Sequence, residues 1–313
     1  MPAPTILFAA KPERWPAYEP HLRDALAEVG IDDAGLVTQA DPAEVDYIVY
    51  APNSTVQDFT PYTRLKAVLS LWAGVESIVG NQTLTVPLAR MVDAGLTEGM
   101  VEWCVGHVLR HHLGMDAHIL GQDGTWRNGT IPPLARDRQV AVLGLGALGR
   151  AVAQALVALG FRVSGWSRSE KSVAGVEARH GEDGLDMVLD RAAIVVLLLP
   201  DTLATTNLLD ARRLALLPRG AVLINPGRGP LIDDDALLAA LDSGQIGHAT
   251  LDVFRIEPLP ADHPFWAHPG VTVTPHIASE TRPSSASRAI AENIRRGEAG
   301  EPFIHLVDRA LGY

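Results

Sequence analysis

Short runs of Val, Ile, Leu and Ala recur along the chain, separated by stretches whose apolar residues return every three or four positions. In the first third the runs fall at 5–9, 47–50, 65–71 and 87–90, each of strand length. Between the first two, Leu22, Leu26 and Val29 share one helix face, and Gly30 follows as a stop. This predicts a small α/β unit on a parallel sheet. An amphipathic helix is predicted over 97–118, with Thr97 as its cap and Glu98 at the positive end of its dipole. Gly, Asn and Pro over 121–133 predict an irregular crossing. A second series of runs then begins, at 140–143, 162–166, 193–199, 221–224, 249–253 and 271–274. Their content suits strands buried on both faces, and helical periods separate several of them, at 150–159 and 233–242. Six strands in this alternation predict a doubly wound sheet. The tail holds a helix pattern at 284–296 and no further strong strand, and is expected to return to the first unit.

The 313 residues suit two domains better than one, and 47% hydrophobic with 20% charged residues is an ordinary globular mix. A formal net charge of -11 without a basic patch argues against nucleic acid and anionic membrane surfaces as partners. It leaves anionic small molecules open, because a few arginines dominate a pocket. Cys104 is the single cysteine, so no internal disulfide forms, and its apolar neighbours Trp103 and Val105 predict a buried, inert thiol. The first residues lack a basic region and a long apolar run, and the strongest apolar run, 192–199, is too short to span a bilayer. The expected location is the cytoplasm.

The strongest local motif is Gly144-Leu-Gly146-Ala-Leu148-Gly149, which follows an apolar run and opens a helical one. That context is the one a dinucleotide turn needs. Gly144 permits the tight turn, Gly146 lets backbone N–H groups approach a pyrophosphate, and Gly149 lets helix pack on strand. The helix N-terminus adds positive charge for the phosphates. A purely structural Gly-rich turn is the competing reading. The next run ends at Trp166-Ser167-Arg168-Ser169. An NAD-specific site puts an acid there to hold the ribose 2′-hydroxyl. A serine and an arginine would instead bind a 2′-phosphate through charge-assisted hydrogen bonds, which predicts NADP(H) as cofactor. Against this stands Arg168 as a solvated surface charge.

Three further segments lie at or just past the C-terminal ends of predicted strands, where open α/β sheets place ligands. They are Asn225-Pro-Gly-Arg228-Gly229, Leu251-Asp252-Val-Phe-Arg-Ile-Glu257-Pro258 and Thr274-Pro-His276-Ile-Ala-Ser279. Reduction of a 2-oxo acid needs a cation for the carboxylate and carbonyl oxygen and an acid to protonate the carbonyl. Arg228 suits the first role by its planar fork. His276 suits the second, because its proton exchanges near neutral pH. Glu257 would orient His276 and favour its charged form. Singly, each has a plainer reading, as a loop charge, a solvated acid and a packed histidine. His107 and His111 form an i, i+4 pair, but no third ligand accompanies them, so no metal is expected. Trp126 and Arg127, in the crossing, would either close over a substrate or serve the structure.

These segments resemble the D-isomer-specific 2-hydroxyacid dehydrogenase family, whose Arg, Glu and His stand in matching motifs. The resemblance extends over nearly the whole chain. It includes Leu65-Lys-Ala-Val-Leu-Ser-Leu-Trp72-Ala73-Gly74-Val75-Glu76, the Trp166-Ser-Arg-Ser turn and the ending Val307-Asp-Arg-Ala-Leu-Gly-Tyr. Within the family the chain is similar to members that reduce glyoxylate and hydroxypyruvate. The resemblance implies two doubly wound parallel-sheet α/β domains with the active site in their cleft. One is a discontinuous flavodoxin-like substrate domain, 1–97 plus 282–313; the other is a Rossmann cofactor domain, 98–281. It implies NADPH-dependent reduction of glyoxylate and hydroxypyruvate to glycolate and D-glycerate, by an enzyme that is a homodimer. It places the substrate carboxylate on backbone N–H groups around Ala73, Gly74 and Val75, and the substrate also against Trp72, Arg228 and His276. It puts Asp252 near the nicotinamide and Pro200 near the cofactor ribose.

The sequence departs from the family pattern in three places. Trp72 occupies a position that is usually small, Glu76 replaces the usual Asp, and Pro226-Gly227 precedes Arg228 where an apolar residue and Ala or Ser are commoner. The first and third bear on substrate choice more than on reaction type. Other readings are a different 2-oxo acid reductase of the family or a dinucleotide-sensing scaffold.

Overall fold

The computed structural model describes residues 3–129 and 131–313. It forms two compact units. One runs through Leu96 and resumes at Glu280; the other spans Thr97–Ser279.

The first unit holds β1 (Thr5–Ala9), α1 (Trp15–Glu28), β2 (Gly35–Val37), β3 (Tyr47–Tyr50), β4 (Ala67–Ser70) and β5 (Leu88–Ala89). Its sheet is parallel throughout, in the order β2-β1-β3-β4-β5, the flavodoxin-like arrangement. Val45, Ile48, Val68, Ile78, Leu84 and Leu88 form a buried core with Val75, so the loop after β4 is anchored from beneath.

The second helix, α2 (Ala94–His112), begins three residues before the expected start. Asp93 rather than Thr97 lies before its first turn, its Oδ1 accepting the Leu96 N–H at 2.6 Å. The helix also ends early, because Gly114 adopts a left-handed φ of 62° before a separate short helix, α3 (Met115–Ile119).

The second unit continues with β6 (Gln139–Leu143), α4 (Ala147–Ala158), β7 (Arg162–Ser167), β8 (Val176–His180), α5 (Gly181–Leu189) and β9 (Ile194–Leu197). There follow α6 (Ala211–Leu216), β10 (Ala221–Asn225), α7 (Asp234–Asp242), β11 (Ile246–Leu251) and β12 (Val271–Val273). Its seven parallel strands run β12-β11-β10-β9-β6-β7-β8. Counting from β6, the first six follow the doubly wound 3-2-1-4-5-6 order, and β12 adds a strand at one edge. The order reverses between β6 and β9, so the loops leaving those strands flank the position where such sheets bind ligands. Separate apolar cores cover the two faces of this sheet. β2 and β8 were not expected. Each is a short edge strand, and β8, with Glu177, Arg179 and His180, has no apolar run to read.

The last helix, α8 (Pro283–Ala299), packs with the first unit against α1, and Leu306 adds a one-residue antiparallel bridge to Ala89. No helix among the described residues is long and apolar enough to cross a membrane.

Candidate active site

β6 delivers the chain to Gly144, whose φ of 104° and whose approach to the Leu198 carbonyl, 2.4 Å from where a Cβ would stand, exclude any other residue. Gly149 is as constrained, since a Cβ there would meet the Gly144 carbonyl oxygen at 1.7 Å. Gly146 differs. Nothing lies within 4 Å of its missing Cβ, and it caps α4 with exposed backbone. The turn therefore presents an open, side-chain-free helix N-terminus with no acid in its first turn, which fits a pyrophosphate. Leu148, beside Gly149, is half-buried.

At the end of β7, Trp166 Nε1 donates to the Gly181 carbonyl at 2.8 Å and holds the turn. Ser167 is buried, and its hydroxyl donates to the Ser169 carbonyl at 2.7 Å, so it shapes the turn from within. Arg168 and Ser169 are exposed. Beyond β9, Pro200 is half-buried, and its carbonyl accepts the Thr205 hydroxyl at 2.7 Å.

The Arg228, Glu257 and His276 segments all follow strands of the second unit: β10, β11 and β12. Asn225, 1% exposed, folds the first loop. Its Oδ1 accepts the Gly227 N–H at 3.1 Å, and its Nδ2 donates to the Arg228 carbonyl at 2.9 Å. The loop then passes against the Glu257 segment so closely that a Cβ on Gly229 would lie 2.0 Å from the Phe254 carbonyl carbon. Arg228 Nη1 donates to the Gly227 carbonyl at 2.6 Å.

Glu257 accepts the Phe254 N–H through Oε1 at 2.9 Å, and its Oε2 stands 2.7 Å from His276 Nδ1. The Glu257 hydrogen bond raises the His276 pKa; burial and Arg228 oppose this, while the charges of Glu257 and Asp252 reinforce it. Burial would raise the Glu257 carboxyl, but the bonds from His276 and Phe254 outweigh it and leave the pKa below the ordinary value. With Nδ1 bound to the carboxylate and the side chain 52% exposed, Nε2 is the imidazole nitrogen available to a ligand.

His276 has a left-handed φ of 54°, unusual for a non-glycine residue. Asp252 holds it there. The His276 N–H donates to the Asp252 carbonyl at 2.8 Å, and the fully buried Asp252 carboxylate accepts the Thr274 hydroxyl at 2.6 Å and the N–H groups of Ile277 and Ala278 at 2.9 and 2.8 Å. Three of its four lone-pair positions thus fasten the loop that carries His276, a role the sequence did not suggest.

In the first unit, Trp72 is 44% exposed, Ala73 and Gly74 are half-buried and Val75 is buried. Ser70 Oγ accepts the Trp72 N–H at 3.0 Å, and the Met91 N–H donates to the Trp72 carbonyl at 3.0 Å. The next three N–H groups, of Ala73, Gly74 and Val75, donate to no described residue, and form a run of backbone donors suited to an anion.

His111 Nε2 lies 2.8 Å from the Thr250 hydroxyl, and the His107 ring packs on Trp103. Among the described residues no group of three or more His, Cys, Asp or Glu is disposed to hold a metal ion. Cys104 is buried, and burial pushes its thiol pKa up. Trp126 is 89% exposed, while Arg127 is bound to Asp123 and the Gly121 carbonyl.

A dinucleotide turn at the switch point of a doubly wound sheet, with an Arg–Glu–His group at the ends of neighbouring strands, defines an oxidoreductase on a nucleotide-binding fold. Residues 104–278 match the model of the D-isomer specific 2-hydroxyacid dehydrogenase NAD binding domain. The chain belongs to the D-isomer specific 2-hydroxyacid dehydrogenase family. It is 43% identical over 259 residues to the glyoxylate/hydroxypyruvate reductase A of Serratia proteamaculans, covering 80% of this chain and 82% of that one. A D-isomer specific 2-hydroxyacid dehydrogenase from Xanthobacter autotrophicus, solved with NADPH and MES, superposes with a TM-score of 0.93 at 40% identity, over 99% of this chain and 100% of that one. The NADPH-dependent glyoxylate/hydroxypyruvate reductase of Sinorhizobium meliloti, solved with NADP and sulfate, gives 0.87 at 35% identity, over 99% and 100%.

Proposed function

We propose that the protein reduces small 2-oxo acids, glyoxylate and hydroxypyruvate among them, to the 2-hydroxy acids glycolate and D-glycerate, with NADPH as preferred reductant. The observation that carries this reading is the 2.7 Å pairing of His276 with Glu257 next to Arg228, at the strand ends beside the glycine turn. The names of the similar reductases, and the NADP(H) in the two solved structures, support the substrate and cofactor assignments.

Gly144, Gly146 and Gly149 would admit the pyrophosphate, with Arg168 and Ser169 toward a 2′-phosphate and Pro200 and Asp252 flanking the ribose and nicotinamide. When bound, the cofactor supplies a hydride to the carbonyl carbon. The N–H groups of Ala73, Gly74 and Val75 take the substrate carboxylate, and Arg228 takes carboxylate and carbonyl oxygen together. Protonated His276 donates from Nε2 to the carbonyl oxygen, so that C=O becomes CH–OH and the imidazole is left neutral. Glu257 stabilises the imidazolium before transfer. Asp252 keeps the ring in place by holding its loop.

A homodimer is the proposed assembly. Leu113, Ile119, Leu120, Trp126 and Ile131 are exposed within one short stretch, an apolar surface that a second copy would cover.

The test is oxidation of NADPH and NADH with glyoxylate, hydroxypyruvate, pyruvate and phenylpyruvate. Turnover of at least one acid, faster with NADPH, is expected. Replacement Arg168→Ala should raise KM for NADPH roughly ten- to a hundred-fold and leave NADH little changed. No turnover of any of the acids would refute the activity, and equal effects on both cofactors would refute the role of Arg168.

A further inference from the structure

Between β11 and Glu257 the chain is anchored in two different ways. Phe254 is buried in an apolar core that includes Phe265, and its carbonyl packs against Gly229. Arg255 is anchored by polar bonds instead. Its Nη2 donates to the Ile232 carbonyl and to Asn207 Oδ1, and its Nε stands 3.4 Å from Asp234 Oδ1. Nη2 carries two N–H groups, so both bonds are made at once. The Arg255 and Asp234 side chains are 33% and 26% exposed, so water screens their pairing only in part.

These acceptors lie on two other segments of the same unit. Ile232 ends the loop that carries Arg228, and Asp234 opens α7. Asn207 follows β9 and is fastened to the Arg228 loop, since its N–H donates to the Pro230 carbonyl at 2.7 Å. Leu209 continues the seam. Its N–H donates to the Leu231 carbonyl at 3.0 Å, and its carbonyl accepts the Asp233 N–H at 3.1 Å. One guanidinium thus ties the Glu257 segment to the loop of Arg228. Between Arg255 and Glu257 stands Ile256, which is 66% exposed. Arg255 is therefore the last anchor of the segment before the residue whose carboxylate meets His276.

We propose that Arg255 is a positioning residue, which fixes the segment from which Glu257 reaches His276 and so keeps that pair at hydrogen-bond distance. This deepens the reading of His276 as the acid, and rests on it for the effect on turnover. A histidine bonded to a carboxylate holds its proton to higher pH than one whose carboxylate has moved away. Arg228 and Asp252, whose charges also act on His276, are left in place when Arg255 is replaced. The sign of the effect then identifies its route. Arg255 is itself a cation, and deleting a cation favours a charged imidazole. Acting by its charge, Arg255 would on removal raise the His276 pKa; acting by its hold on Glu257, it lowers it.

The experiment titrates His276 by NMR in the cofactor-free protein, its imidazole signal assigned by its loss in His276→Ala. The variants are Arg255→Met and Asn207→Gly. The second removes one acceptor without changing the charge, and glycine suits the left-handed φ of 52° at that position. Both are expected to titrate at lower pH than wild type, Arg255→Met the more. In a Glu257→Gln background Arg255→Met should add no such lowering, because the group through which it acts is gone. Steady-state kinetics is a separate arm. Arg255→Met should lower kcat at neutral pH roughly three- to a hundred-fold, the worth of coupling within one hydrogen-bond network, with KM for the 2-oxo acid little changed. An unmoved or raised His276 titration in Arg255→Met overturns the proposal, and so does an equal lowering with and without the Glu257 carboxylate. If Arg255→Met fails to fold, Asn207→Gly decides by the same signs. A lowered titration with unchanged kinetics leaves the positioning of Glu257 standing and refutes instead the reading of His276 as the acid.

Discussion

Two histidine sites in the second unit set the same side chain to opposite uses. His276 stands at the end of a sheet strand with its Nδ1 on the Glu257 carboxylate, and its pKa is raised. His111 lies on α2, its Nε2 on the Thr250 hydroxyl, and burial pushes its pKa down to about 3, with His248 and Arg110 adding to the effect and Asp116 opposing it. His248, its ring 4.9 Å away, is likewise held by a hydroxyl, that of Thr272, and is likewise lowered by burial. A hydroxyl accepts or donates and so satisfies a neutral imidazole; a carboxylate only accepts and rewards the charged one. The partner, more than burial, separates a histidine that keeps a proton from one that refuses it.

The largest expected effect follows directly. His276→Ala should lower kcat for reduction roughly a hundred- to ten-thousand-fold, the usual worth of a positioned acid. His111→Gln, which can still bond Thr250, should leave kcat at neutral pH near the wild-type value. Steady-state kinetics on the best 2-oxo acid, with NADPH binding as the folding control, makes the comparison. A His276→Ala enzyme within tenfold of wild type would mean the proton comes from elsewhere.

Arg228→Lys tests the same site through its neighbour and should cost nearly as much. Lysine keeps the charge but lacks the planar fork that holds carboxylate and carbonyl oxygen together. A loss in kcat/KM of roughly tenfold or more is expected, given the worth of a charge-assisted hydrogen bond. Near-normal kcat/KM would remove Arg228 from the substrate.

Glu257→Gln is the direct way to turn one histidine into the other, because it replaces the carboxylate with a neutral group of similar shape. With its pKa raised, His276 is protonated below that value and loses the proton as pH climbs through it. Reduction should therefore fall on the alkaline side, and the reverse oxidation should rise there. In Glu257→Gln both limbs should move to lower pH. If pH–rate profiles of the two enzymes have their alkaline limbs in the same place, Glu257 does not tune the acid.

Much of this was legible in the residues, for a physical reason. β6 and β9 are buried on both faces, so their apolar runs are continuous and unmistakable. The glycine turn is equally plain, because Gly144 and Gly149 are required by backbone approaches that no side chain permits. What escaped depends on tertiary contact. β2 and β8 are edge strands without an apolar signature. Asn225 sits two residues before a glycine, a visible turn signal, but its hold on the Arg228 carbonyl is a matter of the folded loop. The carboxylate of Asp252 reaches across more than twenty residues to fasten the His276 loop, and His248 meets His111 only because β11 packs against α2.

The smallest effect concerns stability, and its sign separates the two histidine sites most cleanly. His111 titrates near 6.5 when unfolded and near 3 when folded, so the unfolded chain binds more protons between those values. The stability that depends on its neutral form is present above about pH 6.5 and is lost progressively as pH falls toward 3. His248, Arg110, Asp116 and His107 surround it and enter the same balance. The slope from one such histidine is at most about 1.4 kcal/mol per pH unit. The contribution of His276 runs the other way, present below its unfolded value and lost as pH rises through its raised one. Denaturant unfolding of the cofactor-free protein from pH 7.5 to 5 should show stability dropping less steeply in His111→Gln than in wild type. Glu257→Gln should instead drop more steeply over the same range, having lost the site that gains from acid. Parallel curves for all three proteins would mean that neither histidine is linked to folding as its surroundings require.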